Sequence, residues 1–196
     1  VEPTSGTILI KEQDITTANP ESLRRSIGYA IQSVGLFPHM TVAENIGTVP
    51  ALLHWKKERI ATRTEELLHM VGLPPADYAG KYPSQLSGGE AQRIGVARAL
   101  AADPPILLMD EPFGAVDPLT RERLQTSFIR IQQELKKTVI LVTHDLDEAI
   151  RLADRIAIMN KGKLVQYDIP DTILSAPANK FVHDFVGTDL SLIHIS

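Results

Sequence analysis

Two short stretches carry residue types that could handle phosphate. Residues 86 to 93 read LSGGEAQR. A hydroxyl followed by two glycines at a helix start offers an anion free backbone N–H groups and the positive helix end, pointing the same way. Ser87 with Glu90 three residues later also forms a capping box, which suffices to begin a helix with no ligand at all. Gly88 and Gly89 favour the anion, because glycines weaken a helix while letting a phosphate approach the backbone closely. Residues 106 to 112 read ILLMDEP, an apolar strand ending in two carboxylates. Open parallel sheets bind ligands at that carboxyl edge. Asp110 could hold Mg²⁺, directly or through water, and Glu111 could orient and deprotonate a water for attack on a phosphoryl group. Successive strand residues supply the two different directions these roles need. The same pair could equally do no more than end a strand before the turn at Pro112.

Two further residues follow apolar strands. His144 comes after VILVT and before an acidic helix start; at a sheet edge it could contact a terminal phosphate or the attacking water, although a lone histidine is commonly structural. Gln32 ends IGYAIQ, and its amide oxygen could reach Mg²⁺ or water, although a solvent-facing glutamine is the ordinary case. The usual phosphate cradle, G-x-x-x-x-G-K-[ST], occurs nowhere in these residues.

The elements that must position these groups can be read from periodicity. TILI at 7 to 10 and IGYAI at 27 to 31 read as short strands. From Thr41 to about Val71 the apolar spacing is helical, interrupted around Pro50 and stopped by Gly72 and Pro74–Pro75. After Ser87 the pattern alternates regularly. A helix through EAQRIGVARALAA, the strand ILLMD, a helix around RERLQTSFIRIQQELKK, the strand VILVT and the helix DLDEAIRLA imply parallel strands with crossover helices. IAIMN and KLVQY read as a hairpin turning at Lys161–Gly162, and a last amphipathic piece runs from Asn179 to Val186.

Composition narrows the classes. The 196 residues carry a formal net charge of −4, so nothing suggests the basic face of a nucleic-acid binder. Cysteine is absent, which removes disulfides and thiolate metal sites. No uninterrupted apolar run approaches membrane-spanning length. Val1 is not an initiator, and the closing LSLIHIS, Leu190 to Ser196, resembles a translated sequencing adapter; residues 189–196 are therefore expected to be a non-native tail.

Taken singly each motif is ambiguous, but their order is specific: Gln32, then LSGGEAQR, ILLMDEP, Asp117 in GAVD, and His144. The set resembles the ATP-binding cassette ATPases from the first residues to about Val165. The resemblance implies an α/β, P-loop NTPase-like cassette, with a mostly parallel core sheet and a helical signature subdomain at about 41–100, all within a partial domain at 1–188. It implies ATP and Mg²⁺ as ligands. Gln32 corresponds to the Q-loop glutamine, with catalytic and metal roles; Ser87, Gly88, Gly89 and Glu90 belong to the signature motif, which contacts the γ-phosphate held by a partner cassette. Asp110 matches the Walker B aspartate, a metal ligand, and Glu111 the catalytic glutamate. Asp117 resembles the D-loop aspartate and His144 the switch histidine. The phosphate loop and the adenine-stacking aromatic are missing from these residues, so the chain is expected to be truncated just after the phosphate-loop helix and unable to hydrolyse ATP alone.

FPHMTVAENI at 37 to 46 resembles importer cassettes, where this stretch receives a coupling helix; Val34, Leu36, Phe37 and Met40 suit such a groove, or a core. IGTVPALLHWKKERI and FGAVDPLTRERLQ most resemble cassettes driving uptake of glycine betaine, choline, carnitine or related, proline-like osmoprotectants. Implied partners are a second cassette in a head-to-tail homodimer, transmembrane permease subunits and, indirectly, a substrate-binding protein, with no nucleic acid; the implied location is peripheral, on the cytoplasmic face of a bacterial membrane. The alternatives are a soluble cassette ATPase of the translation or DNA-repair type, disfavoured by the short interval between Gln32 and Ser87, and a non-catalytic fragment.

Overall fold

The computed structural model describes residues 3–10, 12–31, 35–114, 116–135 and 137–191. The chain divides after Val142 into two compact units. The first unit opens with an antiparallel hairpin of β1 (Leu9–Ile10) and β2 (Gln13–Asp14). Helix α1 (Pro20–Arg25) follows, begun by Asn19, whose side chain accepts from the N–H groups of Glu21 and Ser22 at 3.0 and 3.1 Å. Asn at the cap and Pro at the first helical position are a strong start signal, yet the sequence reading left this stretch without an element.

Strand β3 (Ile27–Ala30) leads to the helical stretch: α2 (Val42–Leu52), α3 (Lys57–Met70), the single turn α4 (Pro75–Tyr78) and α5 (Gly88–Leu100). Then come β4 (Ile106–Asp110), α6 (Pro118–Leu135) and β5 (Thr138–Val142). Strands β3, β4 and β5 form a parallel sheet in that order, with Tyr29 opposite Leu108 and Leu108 opposite Ile140. The expected interruption falls just past Pro50: α2 stops at Leu52 and α3 starts at Lys57. The proline stands in the last turn, where the carbonyls of Val49 and Pro50 accept from Leu53 and Trp55, and its missing N–H and its ring keep the helix from running far beyond it.

Side-chain alternation sorts the sheet into two faces. Ala30, Leu107 and Met109 are buried on one, where Gly28 lets α5 close in. A Cβ at Gly28 would lie 2.3 Å from the Ala99 carbonyl oxygen. The other face is open: Tyr29, Ile140 and Val142 are each more than half exposed, although parallel sheets bury such residues on both sides. Leu67, Leu68, Ile94 and Ala97 fill the contact of α2, α3 and α5 at 0 % exposure.

The second unit packs α7 (Leu146–Leu152), the antiparallel β6 (Ile156–Asn160) and β7 (Lys163–Asp168), α8 (Pro170–Ser175) and α9 (Lys180–Ser191) around Leu146, Ile156, Ile158, Ile173, Val182 and Val186. Lys161 and Gly162 both take positive φ, 48° and 75°, as the two-residue hairpin turn requires. Helix α9 carries the chain on through Leu190 and Ser191, which the sequence reading assigned to no element; residues 192–196 of the expected tail lie outside the described residues.

Candidate functional site

Ser87 begins α5 through the capping box that its spacing predicts. Its hydroxyl oxygen accepts from the Glu90 N–H at 3.3 Å, and a Glu90 carboxylate oxygen accepts from the Ser87 N–H at 2.7 Å. The other Glu90 oxygen accepts from the Tyr78 hydroxyl at 2.5 Å. Those two donors, the tyrosine above all, hold the Glu90 carboxyl down at about 2, since hydrogen bonds to the ionised form favour it. Glu90 is therefore committed to fixing the helix start and anchoring it to α4. The sequence reading grouped it with the signature motif, and within this chain it holds that motif's helix start in place.

Gly88, exposed at the first helical position, has no such local use. A Cβ built there meets nothing within 4 Å. Neither packing nor a left-handed backbone requires glycine at this point, whereas Gly28 is required by its neighbours. An exposed helix start with free N–H groups and room against the backbone suits an anion.

Asp110 closes β4 opposite Val142, half-buried and, by alternation, on the open face of the sheet. Among the described residues its carboxylate takes no hydrogen bond or ion pair. A half-shielded carboxylate without a protein partner fits a hard cation. No group of three or more His, Asp or Glu residues is gathered there among the described residues, so Mg²⁺ at Asp110 would take most of its ligands from other oxygens, water and substrate among them.

Glu111 departs from the strand sharply, with φ +46°, a left-handed conformation that costs a non-glycine residue about 1–3 kcal/mol unless its surroundings hold it. Here they do. Its N–H donates to the Val142 carbonyl at 2.9 Å, and its carbonyl accepts from the Gly114 N–H at 3.2 Å and from the Gln92 side-chain amide at 2.7 Å. Gln92 lies on α5 and is 3 % exposed. The sequence reading passed over it, because a polar residue inside a helical run gives no outward sign of being buried.

Asp117 is exposed, and its carboxylate accepts from the Thr120 N–H at 3.0 Å, capping α6 and lowering its own pKa. His144, in the second unit, is exposed and precedes Asp145, which caps α7 by accepting from the Glu148 N–H at 3.0 Å. Gln32 and Val34 lie outside the described residues. In the predicted docking stretch, Phe37 is 40 % exposed while Leu36 and Met40 are partly buried. Asn45, fully buried, shapes that loop: it accepts from the Phe37 N–H at 2.7 Å and donates to the Phe37, Met40 and Thr41 carbonyls. It was another residue the sequence did not mark. No helix among the described residues is long and apolar enough to cross a membrane.

A parallel sheet with two carboxylates at its carboxyl edge is where open α/β folds bind their ligands. A family model described as "ABC transporter" matches residues 1–114. In structure, the chain matches the dimeric ATP-binding cassette MJ0796 in a post-hydrolysis state bound to ADP and Pi, with a TM-score of 0.80 at 31% identity, covering 87% of this chain and 75% of that one. The chain belongs to the ABC transporter family. It is 57% identical over 189 residues to the carnitine transport ATP-binding protein OpuCA of Listeria monocytogenes serotype 1/2a (strain 10403S), covering 96% of this chain and 47% of the relative. It is 54% identical over 192 residues to the osmoprotectant import ATP-binding protein OsmV of Salmonella typhimurium, covering 98% and 50%. The chain spans about half the length of the curated relatives it matches.

Proposed function

We propose that the protein is the ATP-hydrolysing subunit of an importer for quaternary-amine osmoprotectants such as glycine betaine, choline or carnitine. The observation that carries the nucleotide part is Gly88, exposed at the start of α5, where an added Cβ would meet nothing within 4 Å among the described residues. The transport part rests on the high identity to uptake ATPases. The interval between β3 and Ser87 is also filled by the packed helices α2 and α3 rather than by a long coil, which argues against the translation and repair types.

ATP is the substrate and water the nucleophile, and catalysis of phosphoryl transfer is mostly positioning and charge stabilisation. Mg²⁺, when bound, would neutralise charge on the phosphate oxygens; Asp110 and Gln32 are its protein ligands in this reading. Glu111 accepts the proton of the attacking water, and the tethered peptide around it fixes where that carboxylate points. His144 contacts the terminal phosphate. Ser87, Gly88 and Gly89 bind the γ-phosphate presented by a second cassette, with Glu90 holding their helix start in shape, and Asp117 stands at the junction between cassettes. Closure of the two cassettes on ATP, and reopening after hydrolysis, moves transmembrane permease subunits that dock at the Phe37–Met40 loop. The assembly sits on the cytoplasmic face of a bacterial membrane and receives solute through a binding protein.

The test is phosphate release from Mg-ATP by the complete gene product, purified with its permease subunits. Turnover that falls about 10²–10⁴-fold in Glu111→Gln, with uptake of a quaternary amine lost in the same variant, supports the reading. A complete product without turnover, or one whose Glu111→Gln form turns over normally, overturns it.

A further inference from the structure

The backbone of Glu111 is strained, with φ +46°, and a strained peptide stays in place only while its surroundings over-determine it. Its N–H is held by β5 and its carbonyl by the turn at Gly114, and both restraints come from the sheet edge itself. Gln92 is different. It reaches the same carbonyl at 2.7 Å from α5, the helix whose first turn is Ser87 to Glu90. The amide that makes this bond is buried, at 3 % exposure, so water does not replace it when it is removed. Gln92 stands one helical turn beyond Gly88, and a helix moves as a rigid rod over that distance.

We infer that Gln92 is a positioning residue for hydrolysis: through the Glu111 carbonyl it sets the aim of the Glu111 carboxylate, and it ties that aim to the phosphate-facing start of α5. This rests on the proposed ATPase reading. In this role Gln92 acts on the reaction through the Glu111 carbonyl that it holds. Two results follow. Loss of the amide lowers the rate of the chemical step and leaves ATP binding alone, because a carboxylate displaced by about 1 Å forfeits up to about 10²-fold in rate. The loss also matters only where the carboxylate is present to be aimed.

The experiment uses the complete gene product with four forms: wild type, Gln92→Met, Glu111→Gln and the double variant. Methionine keeps the side chain's length and removes the donor; Gln92→Glu, which keeps its shape and replaces the donor with an acceptor, is the second variant if Gln92→Met does not fold. The expected result is a kcat about 10- to 100-fold down in Gln92→Met with KM for ATP within about twofold of wild type. In the Glu111→Gln background the same substitution leaves the residual rate unchanged, a non-additivity that marks two residues acting as one unit. A purely structural glutamine would lower both backgrounds by the same factor, and that outcome, or an unchanged kcat in Gln92→Met, overturns the inference. A wild type without turnover instead overturns the ATPase reading and is seen before any variant is compared.

Discussion

Two glycines on neighbouring elements should respond to the same substitution in opposite ways. At Gly28 an added Cβ would meet the Ala99 carbonyl oxygen at 2.3 Å, Leu107 Cδ2 at 2.5 Å and Pro104 Cγ at 2.8 Å. Ordinary carbon–oxygen contacts are about 3.3 Å or longer, and the nearest atom is backbone, so β3 and α5 must separate by about 1 Å. Overpacking of that kind costs about 2–3 kcal/mol, which for a domain of this size lowers Tm by about 4–12 °C. At Gly88 the same methyl group meets nothing, and alanine is the better helix former by up to about 1 kcal/mol. Gly88→Ala is therefore expected to keep Tm or raise it by up to about 4 °C. If the helix start faces a phosphate, the methyl group nevertheless stands where the phosphate must come, and turnover falls about a hundredfold for a displacement of about 1 Å. Circular dichroism melting curves and phosphate release, measured on the same preparations of wild type, Gly28→Ala and Gly88→Ala, separate the two effects. A Gly88→Ala protein that melts as low as Gly28→Ala would show that the glycine serves the local fold. One that is stable and fully active would show that nothing approaches α5 there.

Glu90 gives a prediction in pH. Its folded-state pKa, about 2, lies below the ordinary carboxylate value, so the stabilisation it provides is complete above about pH 5 and is lost as pH falls through the folded pKa. The Tm difference between wild type and Glu90→Gln should shrink steadily on acidification across that window, and a difference independent of pH would count against the Tyr78–Glu90–Ser87 arrangement. In the second unit Ile173 is completely buried within its own cluster, so Ile173→Ala should cost about 2–5 kcal/mol; a loss below about 1 kcal/mol in urea titration would mean that the cluster does not form.

Much of this was legible in the sequence because the signals were local. The capping box at Ser87–Glu90, the apolar run of β4, the Lys161–Gly162 turn and the parallel alternation of strands and helices each follow from neighbouring residues. Pro50 was a local signal of the same kind: α2 ends two residues after it and the next helix starts at Lys57. VILVT read as a strand apolar throughout, and β5 is one, but it buries neither Ile140 nor Val142 among these residues. The harder omissions are tertiary. Nothing local announces that Gln92 donates to a carbonyl 19 residues away, or that Asn45 satisfies the backbone of the Phe37 loop. Both are polar residues on helices, and only the fold makes them interior. The candidate site residues could be named from type and order; that Glu90 and Asp117 cap helices, while the Asp110 carboxylate has no partner among the described residues, required the geometry.

The central claim is that the start of α5 serves a nucleotide held by another copy of the chain. The most direct measurement co-expresses the complete protein as Ser87→Arg with one affinity tag and Glu111→Gln with another, and isolates the doubly tagged dimer. Each parent is inactive. In the mixed dimer one shared site combines an intact Glu111 with an intact Ser87 from the opposite subunit, while the other site carries both changes. The account predicts about half of the wild-type turnover from this dimer, one working site of two. A mixed dimer as inactive as its parents would mean that Ser87 and Glu111 act within a single subunit, and would contradict it.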